Sequence, residues 1–134
     1  MSDVQNWDPA LYTLGQKHRD LLNIVVAHTT KHHLQLTPEQ LDTLRVIFLI
    51  DARAWADFAV DKTDEELVSW IELFTLCPEQ YSGFDRGANS PVIPLVRVLR
   101  HRGTYPPQLT KWIKQQSTNR FLPHGSLADR LSKN

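Results

Sequence analysis

The chain has 134 residues, close to the commonest size of one domain, and its apolar residues, with Trp7, Trp55, Trp70 and Trp112 among them, are enough for a core rather than a disordered coil. Its 15 Lys and Arg are matched by 15 Asp and Glu, which excludes a protein that is basic or acidic throughout. The single cysteine, Cys77, excludes an intrachain disulfide and fits a reducing compartment. No basic-then-apolar secretory pattern opens the sequence, and the most apolar stretch, residues 46–59, is broken by Asp51, Arg53 and Asp57. The expectation is a soluble, cytoplasmic protein without a membrane partner.

In chain order, the punctuation is a capping side chain followed by proline: Asp8-Pro9, Thr37-Pro38 and Ser90-Pro91. A proline at the first helical position gives up no hydrogen bond and has a φ suited to the helix. Thr37 with Gln40 and Thr63 with Glu66 read as capping boxes. Residues 1–7 precede the first cap and are the candidate for disorder. The first helix is expected over 9–32, where Leu11, Leu14, His18, Leu21, Val25, His28 and His32 form one stripe, with Gly15 weakening its early turns. The second, over 38–60, is apolar on most sides and reads as the central helix. A third over 64–76 buries Leu67, Trp70, Ile71 and Phe74 and stops before Cys77-Pro78.

A fourth helix over 91–102 is closed by Gly103, and a fifth over 107–116 buries Leu109, Trp112 and Ile113. Ser126 and Asp129 read as the cap of a last short turn. The fold class expected is all-α: residues 1–134 as one single-domain bundle of about five helices plus that C-terminal turn.

The parts of the familiar catalytic sites are missing. Cys77 stands at a helix C-terminus, where the dipole disfavours a thiolate. The glycines of the 83–90 loop lack the Gly-Lys-Ser/Thr ending of a phosphate-binding loop, and no Gly-x-Ser-x-Gly elbow occurs. Asp64, Glu65 and Glu66 fill a helix's first turn, where negative charge is stabilising on its own account. No cofactor is implied, and the reading leans away from an enzyme.

Three features remain. His28 and His32 are four residues apart, a spacing at which one helix face can share a metal, although no third ligand follows from the spacing. They are weak metal candidates, and their alternative role is to flank an interface edge where the stripe runs out near the helix end, with partial positive charge suited to the C-terminal dipole. The long 77–89 loop offers Tyr81, Phe84 and Arg86 as contacts to a partner or covers for the core.

The third feature is an asymmetry hidden by the zero net charge. From Pro91 onward the only acid is Asp129, against Arg97, Arg100, Arg102, Lys111, Lys114, Arg120, Arg130 and Lys133. Helices four and five make a basic hairpin subregion, 91–134, similar in shape and spacing to a helix–turn–helix, with Gln108, Lys111, Lys114 and Gln115 directed outward from its second helix. The leading expectation is therefore a non-catalytic interaction protein that docks to another protein or to itself. The alternatives are a nucleic-acid-binding regulator using the same hairpin and a histidine-based metal-binding protein.

Overall fold

The computed structural model describes residues 13–126. Its elements are α1 (Gln16–Ala27), α2 (Pro38–Ile47), α3 (Ala52–Ala59), α4 (Asp64–Gln80), a 3-10 turn (Gly87–Asn89), α5 (Val92–Arg102) and α6 (Leu109–Gln116). The fold is an all-helical bundle, with no strand among the described residues. No helix among them is long and apolar enough to cross a membrane. The expected caps at Asp8-Pro9 and Ser126 to Asp129, with Arg130 and Lys133, lie outside the described residues or at their edge.

Several helix ends follow from local chemistry. Thr37 accepts from Gln40 N while the Gln40 side chain accepts from Thr37 N, and Thr63 and Glu66 form the same reciprocal pair. Gly103 takes φ 79°, and the Thr104 N–H reaches back to Leu99 O while that of Gly103 reaches Arg100 O, a Schellman closure of α5.

Four expectations are corrected. The first helix is shorter than 9–32: among the described residues it starts at Gln16, with Gly15 as its N-cap, and ends at Ala27. The reach from 38 to 60 is two helices. Asp51 caps Ala54 N and starts α3 afresh, and the break turns Phe48 into the core between Phe74 (5.1 Å) and Phe84 (4.8 Å). Trp55 Nε1 donates to Ile47 O across the break, so a buried carbonyl at the end of α2 keeps a partner.

The third correction concerns α4, which continues past Cys77 and Pro78 to Gln80. Pro78 cannot donate to Phe74 O, but tertiary bonds hold the last turn. The Gln80 amide donates to His32 O and accepts from Leu34 N, while the Tyr81 hydroxyl accepts from Leu36 N and donates to Leu34 O. Finally, α4 is the central helix. Leu67, Trp70, Ile71, Leu73, Phe74, Leu76 and Cys77 bury most of its circumference, and α1, α5 and α6 all pack on it.

Candidate functional site

The basic third divides into charges the fold uses and charges it leaves outside. Helix α5 is itself a core element, with Val92, Leu95, Val96 and Leu99 buried against α3 and α4. Its Arg102 is drawn inward: Nη1 donates to Asp64 at 2.7 Å, and Nη2 donates to the carbonyls of Ala59 and Val60 at the end of α3. That guanidinium ties the ends of α3 and α5 to the start of α4. Arg97 and Arg100 are exposed on the other side of α5. Arg100 Nη1 lies 3.3 Å from His124 Nδ1, and the His124 ring sits beside Tyr105 at 6.2 Å. Tyr105 shares a hydrogen bond with the Thr110 hydroxyl, and burial pushes its phenol above its ordinary pKa.

Helix α6 is amphipathic in the simplest way. Leu109 and Ile113 are buried, and Trp112 is half-buried with the His32 ring 5.2 Å away. Gln108, Lys111, Lys114 and Gln115 are all exposed. None of the four takes part in a side-chain hydrogen bond or ion pair among the described residues. Arg120, beyond the helix, is exposed with its guanidinium 5.7 Å from the Phe121 ring centre. The helix packs principally on α4.

The 77–89 segment begins as the last turn of α4, and its two aromatic rings turn toward the core. Phe84 is 1% exposed and belongs to the core, and Tyr81 is half-buried as the bridge to Leu34 and Leu36. Phe84 thus serves packing, while Tyr81 packs against the core with part of its surface exposed. Arg45 of α2 donates to Ser82 O and lies over the Phe84 ring, while Asn119 donates to Gly87 O. Arg86 is half-buried, with its Nε closed from solvent and lacking a hydrogen-bond partner among the described residues. Cys77 is buried, and burial pushes its thiol up to about 12, far from the thiolate a nucleophile needs.

The helical spacing behind a shared metal at His28 and His32 is not realised. The helix ends at Ala27, where His28 Nδ1 bonds Ile24 O at 2.8 Å, and His32 sits beyond it in a tight turn. No group of three or more His, Cys, Asp or Glu among the described residues is placed to hold a metal ion. His18 is buried, and its Nδ1 accepts from Gly15 N, closing the start of α1. Burial, and then the charge on Lys17, lower its pKa.

One pocket was not anticipated. The turn after α1, the last turn of α1 itself and one face of α4 line an open pocket of about 210 Å³, with Lys31, His32, Ser69 and Glu72 on its walls. Ser69 and Glu72 read in the sequence as ordinary polar positions of a helix, and only the approach of the turn gives them a common space. A larger, more open groove of about 500 Å³ lies between α1 and α2, beside Leu21 and Val46.

Comparisons with protein-family models, with curated proteins and with solved structures find no match to this chain.

Proposed function

We propose that the protein is a non-catalytic docking domain whose contact face is the outer side of α6. The observation that carries this reading is the set Gln108, Lys111, Lys114 and Gln115: exposed, adjacent on one helix face, and without a fold-internal use among the described residues. Such a face is complementary to an acidic surface. A second copy of the chain offers exposed acids in Glu39 on α2, Asp57 on α3 and Glu65 on α4. Pairing the basic face of one molecule with such acids of another is a head-to-tail contact between unlike surfaces.

The test is sedimentation of the full chain over a range of salt. Association at low salt that weakens as salt rises, and that Lys111→Glu with Lys114→Glu abolishes, is the expected result. A protein that stays monomeric at low salt and high concentration sinks the reading.

Nucleic acid is the second reading, favoured by the pairing of Lys with Gln on α6, since these side chains contact phosphates and base edges. The helix is short, eight residues or roughly 12 Å, and Arg102 is withdrawn from the face by Asp64. Salt-sensitive binding of a duplex oligonucleotide, lost in the same double variant, would shift the assignment to this reading.

A further inference from the structure

After α1 the chain makes a turn that is costly in isolation. Thr30 and His33 exchange backbone hydrogen bonds at 3.1 and 2.8 Å, and the two residues between them, Lys31 and His32, have φ values of 51° and 64°. Turns of this kind are ordinarily built with Asn and Gly, because most other side chains are strained in the left-handed region. Here the surroundings over-determine the shape. Gln80 grips His32 O and Leu34 N, the His32 ring rests against Trp112, and His28 Nδ1 and the Thr29 hydroxyl close the end of α1 at Ile24 O and Val25 O. Strain held in place by neighbours is the pattern seen where a site must be preformed.

The strained turn is one wall of the 210 Å³ pocket. Its floor is apolar, made of Val26, Leu34, Leu73 and Leu76. The turn brings Lys31 and His32, and the opposite wall on α4 brings Ser69 and Glu72. Glu72 is half-buried, and burial raises its carboxyl above the ordinary range, only partly offset by His32. Lys31 and Glu72 line the same space but form no ion pair, and the Ser69 hydroxyl has no hydrogen-bond partner among the described residues. The pocket thus holds two separated, opposite charges over an apolar floor. A ligand with one charge is attracted by one wall and opposed by the other, whereas a zwitterion satisfies both. The volume lies below the roughly 300–1,000 Å³ of pockets for drug-sized ligands and suits an occupant of amino-acid size.

We propose that this pocket binds a free α-amino acid with an aliphatic side chain. Its ammonium faces Glu72 and Ser69, its carboxylate faces Lys31 and His32, and its side chain lies on Val26, Leu34, Leu73 and Leu76. The site is separate from the outer face of α6 and does not depend on the docking reading.

Calorimetric titration of the full chain with L-leucine, N-acetyl-L-leucine and L-leucinamide tests this. Leucine is expected to give saturable binding, with each charge-blocked derivative weaker by about tenfold or more. Glu72→Gln is expected to weaken leucine but not to weaken N-acetyl-leucine further, because the acetylated nitrogen carries no charge to lose. Ser69→Ala gives a second, milder reading of the same wall, and unchanged circular dichroism of each variant shows that the fold persists. Absence of saturable heat with leucine, isoleucine, valine and methionine at millimolar concentration overturns the proposal, as does leucine binding that is indifferent to both blocking groups and to Glu72→Gln.

Discussion

At the seam between α1 and α4, Arg19 meets Glu66 through two bonds of 2.7 and 3.0 Å. Asn23 adds a third to the same carboxylate and accepts in turn from Trp70 Nε1. On the outer side of α6, Lys111 and Lys114 reach no such partner among the described residues. Both regions are polar faces of amphipathic helices resting on α4. The difference is whether a second helix closes over them. Where it does, charge becomes a fastening with defined geometry. Where none does, charge stays available to whatever approaches from outside.

The sharpest way to break this contrast is to remove the fastening. Glu66→Ala removes the Arg19 and Asn23 bonds together with the side-chain half of the Thr63 capping box. A loss of about 2–3 kcal/mol in denaturant unfolding is expected, in line with charge-assisted hydrogen bonds. A change below about 0.5 kcal/mol, the size usual for surface substitutions, contradicts the role given to this seam.

Acid should reach the same fastening. The Arg19 guanidinium beside Glu66 is the main reason that its carboxyl is lowered to about 2 from 4.5. Because the folded value lies below the unfolded one, the stabilisation is complete above pH 4.5 and is lost as pH falls toward 2. His18 acts in the same direction at higher pH. Its pKa is lowered from 6.5 by burial, so its contribution is present above pH 6.5 and declines as pH falls through the folded value. Thermal melts between neutral and acid pH should show a melting temperature that falls in both windows. In Glu66→Gln the lower window should flatten.

These two regions also show what could be read from the chain. Caps were legible because they join groups a few residues apart: the Thr37 and Thr63 side chains each accept from a backbone N–H three residues on, and Gly103 takes the left-handed conformation that lets backbone N–H groups close α5. The outward set on α6 was legible for a similar reason, since helical periodicity separates Leu109 and Ile113 from Lys111 and Lys114. The break at residues 48–51 was not, because Asp51 sits inside an apolar run and its capping role appears only once Phe48 is needed between Phe74 and Phe84. The extension of α4 past Pro78 depends on Gln80 and Tyr81 finding the 32–36 segment more than forty residues earlier. The pocket is of the same kind: Glu72 and Lys31 come from separate elements, and neither residue's neighbours in sequence mark it out.

Arg102 tests the boundary between the two fates of charge within the basic third. Arg102→Gln loses the Asp64 ion pair and two bonds to the end of α3, and should cost about 1.5–2 kcal/mol by the measure of hydrogen bonds to charged groups. The smallest expected effect belongs to α6. Lys111→Ala with Lys114→Ala should change stability by less than about 0.5 kcal/mol, as is usual for surface positions without partners, and should nonetheless weaken low-salt association.

The docking role of α6 is tested most directly by two-dimensional amide NMR of the full chain, diluted stepwise at low salt. Concentration-dependent shifts are expected on the amides of Gln108, Lys111, Lys114 and Gln115, with a second set near the exposed acids Glu39, Asp57 and Glu65, and both sets should collapse when salt is raised. Spectra that do not change with concentration, or shifts that spare α6, would contradict it.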